Sequence, residues 1–251
     1  MQNTTSRENP LDLSYLQQIR TLIDTLAGTQ AGALSAGAEA IADALKNGRF
    51  LYAFGTGHSH MMALELFYRA GGLARVCPIL DTALMLHDGA VKSSFVERVE
   101  GYAAEVLARY PLQKGDVLLI ASNSGRNAVP IEMAREAKAR GATVIALTSL
   151  AHAASAPSRH SSGTHLHENA DIVIDNGGIA GDACLEVEGA GRTSPTSTVV
   201  GCTALHLMVH NAILRLAEQG CPPEIFQSAN SDGGRQNDDY IRKYSPFIKH
   251  L

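Results

Sequence analysis

Two short polar stretches interrupt apolar runs: Gly55-Thr56-Gly57-His58-Ser59-His60 and Ser122-Asn123-Ser124-Gly125-Arg126-Asn127. Each is followed by a helix-like pattern. Hydroxyls and amides there donate hydrogen bonds, and glycine lets backbone approach a ligand closely. The helices that follow would present unpaired N–H groups and a positive partial charge. That combination suits an anion, phosphate above all. A helix-capping turn accounts for either stretch alone, since Asn127 is a natural N-cap and Pro130 fits a first helical turn. Glu65 is the first candidate for moving a proton. It stands in the apolar run MMALELF, about two turns into the helix after the first stretch. Its alternative role is an i,i+4 pair with Arg69. His206 and His210, in TALHLMVHNAIL, share a helix face, where a satisfied core histidine is the alternative.

The pattern around these residues is one of short apolar runs alternating with helical stretches. The runs are 50–54, 76–80, 117–121, 143–147 and 171–174, with helical segments at about 59–70, 92–109 and 128–140. Several runs are apolar throughout, as strands covered on both faces are. The alternation predicts a doubly wound α/β fold with a five-stranded parallel sheet. In strand order 2-1-3-4-5, strands 1 and 3 are neighbours, so both polar loops open onto the switch-point crevice. That shared position favours an anion site over two unrelated caps.

Residues 1–48 read as N-terminal helices, two of them, divided near Gly28 and Gly32, the second ending at Asn47-Gly48. The central domain spans 49–219, with Gly141 as a helix C-cap glycine, a long Gly-rich ordered loop over 175–195 and a C-terminal helix over 196–218 stopped by Gly220, Pro222 and Pro223. Residues 220–251 form a tail that packs on the domain or on a partner subunit.

Composition narrows the classes. The 251 residues are 45% hydrophobic and 18% charged, with a formal net charge of −4. No basic footprint for nucleic acid is present. The lack of Trp and the few aromatics disfavour base stacking. The apolar runs read as too short to span a bilayer, and the N-terminal residues lack an apolar signal core. A cytoplasmic protein is expected, with Cys77, Cys184, Cys202 and Cys221 as buried free thiols.

Other ligand sites fit less well. A Walker loop is absent. GTGHSH with Asp81 after the second strand approaches a dinucleotide fingerprint, but His60 replaces the glycine needed for close helix–strand packing. His152, His160, His165, His167 and Glu168 match no established zinc spacing and read as solvated loop residues. No metal and no cofactor are expected.

FGTGHSH and ASNSGRN, in this order and spacing, resemble the sugar isomerase (SIS) domain family, over about residues 35–215. The resemblance implies that Ser59, Ser122, Asn123, Ser124, Gly125 and Asn127 hold a sugar phosphate. The family usually has Thr or Ser in place of Asn127. SNSGRNAV looks most like the N-acetylmuramic acid 6-phosphate etherases, while FGTGHSH and SSFVERVEGYA resemble a neighbouring branch associated with dehydration of N-acetylglucosamine 6-phosphate. By resemblance to sedoheptulose phosphate isomerases, His206 would be an acid/base. By resemblance to the etherases, so would Glu100, although a solvated face or an ion pair with Arg98 is the ordinary role for Glu97 and Glu100. His58 would donate to the phosphate or a sugar hydroxyl, and His60 would pack under the loop.

These enzymes open the sugar and remove the acidic C2 proton beside the C1 carbonyl. Isomerases return a proton to C1, whereas lyases expel the C3 substituent. Either reaction needs a placed carboxylate or imidazole. The resulting expectation is an enzyme on an amino-sugar 6-phosphate, eliminating water or a C3 substituent, with Glu65, His206 and Glu100 as catalytic residues. An aldose–ketose isomerase and a non-catalytic phosphosugar sensor are the alternatives. The partners expected are a small phosphosugar and a second copy of the chain, in a homodimer or higher homo-oligomer, without nucleic acid or membrane.

Overall fold

The computed structural model describes residues 11–228 and 235–251. Five strands, β1 (Leu51–Gly55), β2 (Val76–Pro78), β3 (Val117–Ala121), β4 (Thr143–Thr148) and β5 (Ile172–Asp175), form one sheet in the order β2-β1-β3-β4-β5. Every pairing is parallel, and Leu51 to Gly55 pair in register with Val117 to Ala121. The polar loops after β1 and β3 therefore lie side by side at the C-terminal edge of the sheet.

Strand side chains alternate between two buried faces. Leu51, Ala53, Val117, Leu119 and Ala121 join one core cluster, and Tyr52, Phe54, Leu118 and Ile120 join the other. Burial on both faces explains why these runs lack polar alternation. The first face is covered by α1 (Ser14–Thr29), α2 (Ala31–Lys46), α3 (His60–Leu66) and α8 (Ser197–Glu218). The second is covered by α5 (Tyr102–Leu107) and α6 (Ala128–Ala139), together with Tyr244 of α9 (Arg235–Tyr244) and Ile248. Glu224 fastens α9 to the domain through Lys243 Nζ at 2.6 Å, Arg75 Nε at 3.1 Å and the Tyr244 hydroxyl.

Several boundaries differ from the sequence expectation. The first two helices break at Gln30, so Gly28 and Gly32 lie inside helices. The segment read as 59–70 is helical only to Leu66, and Tyr68 turns left-handed at φ 49°. The segment read as 92–109 is two helices, α4 (Ala90–Val96) and α5, divided at Gly101 with φ +84°. A further short helix, α7 (Leu150–Ala154), follows β4. The Gly-rich stretch 175–195 is not a loop throughout. Its second half is an antiparallel hairpin of β6 (Ala183–Val187) and β7 (Gly191–Pro195).

Against the expectation that no run could span a bilayer, α8 is 22 residues long with mean hydropathy 1.4, enough by length and composition. It runs through the core instead, burying Val200, Ala204, Leu205, Met208, Ala212 and Leu216. Of the cysteines only Cys77 is fully buried; Cys184, Cys202 and Cys221 are half-buried, and all four are free.

Candidate functional site

Gly55 ends β1 where the chain doubles back beneath Ser59. A Cβ there would lie 2.2 Å from the Ser59 carbonyl oxygen, so only glycine permits the turn. Gly125 plays the matching part after β3. Its φ of +58° and the nearby Leu166 and Thr148 side chains exclude larger residues without strain. Between these turns lies a narrow crevice of about 20 Å³, lined by Ser59, Met62, Ser122, Asn123, Asn176, Ser197 and Thr198. Wider grooves of about 670 and 710 Å³ lie at the opposite end of the sheet, beside Val117 and Thr143 and beside Phe50. Doubly wound sheets bind ligands at the carboxyl ends of their strands, which makes the small crevice the candidate site.

Ser122 is buried, and its Oγ accepts from Gly125 N at 3.3 Å. Ser59 and Ser124 are half-buried, and His58 is exposed on the rim. His60 packs beneath the loop as expected. It is 4% exposed, its Nδ1 lies 3.3 Å from the Gly55 carbonyl, and its Nε2 has no partner. Asn123 is engaged on both amide atoms: Asn176 Nδ2 donates to its Oδ1 at 2.8 Å, and its Nδ2 lies 3.4 Å from His152 Nδ1. A space of about 20 Å³ has room for about one water.

Asn127 is not the side-chain cap that its position suggests. It occupies the N-cap of α6 without a capping hydrogen bond. Its Nδ2 donates to Glu97 Oε1 at 2.8 Å, and its Oδ1 accepts from Arg159 Nη1 at 3.0 Å. Glu97 Oε2 accepts from Thr56 Oγ1, also at 2.8 Å. Glu97 is thus neither solvated nor paired with Arg98; it ties the first loop to the second. Sequence reasoning missed this role because Thr56 and Asn127 are 41 and 30 residues from Glu97.

Glu65 and His206 meet where α3 crosses α8. His206 Nε2 lies 2.7 Å from Glu65 Oε1, and Arg69 Nη1 lies 3.1 Å from Glu65 Oε2. Both roles considered for Glu65 are therefore present, the i,i+4 ion pair and the contact with an imidazole. The two helices that carry this pair begin at the crevice wall, α3 directly after Ser59 and α8 at Ser197. The His206 side chain is 46% exposed and the Glu65 side chain 23%. His206 also lines an open depression with Val199, Cys202, Leu207 and His210.

Glu100 does not join them. It is exposed, and its carboxylate accepts from Ser161 N at 2.6 Å and Ser161 Oγ at 2.8 Å. Those bonds lower its pKa from the ordinary carboxylate value. The loop histidines are half-buried rather than solvated, and they do not converge. His165 stacks on His167 at 5.8 Å, while His160 Nε2 lies 3.4 Å from Glu132. Among the described residues, Glu100, Glu132 and His160 bring potential metal-ligand atoms within 4.8 Å of one another. Both carboxylates there are already hydrogen-bonded within the protein, to Ser161 and to Gly101 N.

This topology and paired-loop crevice define a doubly wound α/β domain of the phosphosugar-isomerase kind of fold. The SIS domain model matches residues 14–149, and the chain belongs to the SIS domain family. The chain is 44% identical to a UPF0309 protein of Halalkalibacterium halodurans, over 95% of this chain and 96% of that protein. A UPF0309 protein of Caldanaerobacter subterraneus is 43% identical, over 96% and 100%. Among solved structures, a phosphoheptose isomerase from Francisella tularensis has a similar fold, with TM-score 0.54 and 16% identity, covering 79% of this chain and 94% of that one. The Vibrio vulnificus NanR protein complexed with ManNAc-6P gives TM-score 0.51 at 17% identity, covering 92% and 68%.

Proposed function

We propose that this protein is a phosphosugar enzyme that removes the C2 proton of an amino-sugar 6-phosphate and eliminates water or another C3 substituent. The observation that carries the reading is the 2.7 Å contact between Glu65 and His206, on the two helices that leave the walls of the Ser59–Ser122 crevice. Ser59, Ser122, Asn123, Ser124, Gly125 and Asn127 hold the phosphate, with His58 donating from the rim. The sugar then extends along α3 and α8 towards the pair. One member of the pair takes the C2 proton. The other protonates the departing C3 oxygen, leaving a C2–C3 double bond conjugated to C1. Glu100, bonded to Ser161, has no place in this step.

An aldose–ketose isomerisation uses the same first step and returns the proton to C1. The adjacency of carboxylate and imidazole favours it as the second reading, and fold neighbours such as the phosphoheptose isomerases support it. The half-exposed dyad also supports a homodimer, in which the second copy covers the α3–α8 face and shields the proton-transfer groups from water.

Thermal-shift screening of hexose, hexosamine and N-acetylhexosamine 6-phosphates identifies the ligand, and mass spectrometry of the product distinguishes the reactions. Elimination gives an unsaturated product lighter by one water, or by the other C3 substituent as its free acid or alcohol. Equal mass with a changed carbonyl position gives isomerisation. Stabilisation without turnover contradicts an enzyme and leaves a sensor.

A further inference from the structure

Asn123 stands in a line of side chains that runs from the loop after β5 to α7. Asn176 is buried, and its Oδ1 accepts from Gly178 N at 2.9 Å. Its Nδ2 donates to Asn123 Oδ1 at 2.8 Å, and Asn123 Nδ2 faces His152 Nδ1 at 3.4 Å, the longest link. Backbone contacts hold both ends of that last link. The Asn123 carbonyl accepts from Ser149 N at 3.0 Å and from Thr148 Oγ1 at 3.2 Å, and His152 N donates to Ser149 Oγ at 3.0 Å. Asn123 and Asn176 line the crevice, whereas His152 is not one of its lining residues.

A backbone N–H can only donate, so Gly178 fixes the direction of the line. With Asn176 Oδ1 turned to Gly178, its Nδ2 must face Asn123, and Asn123 must answer with Oδ1. Asn123 Nδ2 is then left for His152, whose Nδ1 must accept. That requires a neutral imidazole with its proton on Nε2. Each amide keeps a second N–H that these bonds do not use, a donor for the oxygens of a phosphosugar.

A proton on His152 Nδ1 would set donor against donor. Turning the Asn123 amide over brings no relief, because its Nδ2 would then face Asn176 Nδ2. One bond of the line is lost either way. Burial lowers the half-buried imidazole from its ordinary value; Asp182, beside α8, opposes this, and Arg126, in the second loop, adds to it. The neutral form therefore prevails near neutral pH.

We propose that His152 is a positioning residue: by accepting from Asn123 Nδ2 in its neutral form, it fixes the amide that meets the phosphosugar and makes phosphosugar binding weaken in acid. The inference rests on the reading of the crevice as a phosphosugar site. His152 acts through Asn123 and not on the reacting atoms.

Isothermal titration calorimetry on the full chain tests this with glucose 6-phosphate, glucosamine 6-phosphate and N-acetylglucosamine 6-phosphate as probes. Sugar phosphates titrate near about pH 6 themselves, and His58 and His60 lie close by, so each variant is compared with wild type at the same pH. At about pH 8, His152→Leu should bind about fivefold more weakly, and His152→Gln, whose Oε1 can accept the same bond, should recover most of that loss. At about pH 5.5, wild type should lose about a further threefold relative to His152→Gln, which does not titrate. Nitrogen-15 NMR of the ligand-free protein should find His152 as the Nε2–H tautomer. Should His152→Leu fail to fold, the wild-type and His152→Gln profiles carry the test. The Nδ1–H tautomer, or parallel pH profiles in wild type and His152→Gln, overturns the positioning role and leaves the phosphosugar reading standing. Binding of none of the probes by wild type overturns both.

Discussion

His60 carries a pH dependence that the geometry makes specific. Burial holds its imidazole below the ordinary 6.5; the Gly55 carbonyl and Asp81 oppose this, while His87 and His250 reinforce it. The folded state therefore binds fewer protons here than the unfolded chain. Stability is complete above the unfolded value and is lost as pH falls below it towards the folded value. His152 and His250, also lowered first by burial, act in the same direction. Calorimetric Tm is expected to fall from about pH 7.5 to about pH 5.5, and less steeply in His60→Gln. A flat or rising Tm contradicts this. Glu97 makes a second prediction. Glu97→Ala strands the buried Thr56 hydroxyl and Asn127 amide, so denaturant unfolding should show a loss of about 1–3 kcal/mol. Unchanged stability would mean that water replaces the carboxylate. The sequence shows which residues can do chemistry at this scale, but not their partners. Glu65 and His206 are visible as candidates, whereas their contact spans 141 residues and depends on how α3 and α8 cross.

Between the loops, backbone geometry decides what can bind. Gly55→Ala places a methyl group against the Ser59 carbonyl, where backbone rather than a flexible side chain must move. The variant should lose about 1–3 kcal/mol of stability and bind phosphosugar weakly. Wild-type affinity in that variant would show that the turn is not a cradle. The hairpin after β5 has a definite task as well. Asp182 accepts from Thr196 N, Thr196 Oγ1, Ser197 N and Ser197 Oγ, at 2.6–3.1 Å, and so caps α8 beside the crevice. The parallel strands were legible because burial on two faces makes them apolar throughout. The hairpin was not, because β7 is mostly exposed and built of small and polar residues, which leaves the five residues of β6 as a single short apolar run inside a Gly-rich stretch. The division at Gly101 was hidden for a related reason: the apolar spacing continues across it while the backbone turns left-handed.

At the scale of the molecule, the two core faces close well, but the α3–α8 side remains apolar on its surface. Val199, Leu207 and Leu214 of α8, with Met61 and Leu64 of α3, are exposed beside the dyad. Light scattering after gel filtration should show a homodimer or larger assembly. Leu207→Glu should shift it towards monomer and lower turnover, because the dyad then faces bulk water. A monomeric wild-type protein with full activity contradicts that arrangement. Sheet order and the neighbouring loops follow from the strand–helix alternation, so this level was the most legible from sequence. Assembly leaves only an apolar helix face as its trace, and α8 shows why that trace is ambiguous: its apolar length serves a buried core as well as an exposed contact.

The central claim is that a proton leaves C2 of a sugar whose phosphate is held in the crevice. The most direct measurement incubates the phosphosugar found by screening with the enzyme in D2O and follows the C2 position by NMR and mass spectrometry. Wild type should exchange or transfer the C2 hydrogen, and Glu65→Gln should slow this by about 10²-fold or more while remaining folded. A bound phosphosugar whose C2 hydrogen stays untouched, or exchange at full rate in Glu65→Gln, would contradict the account.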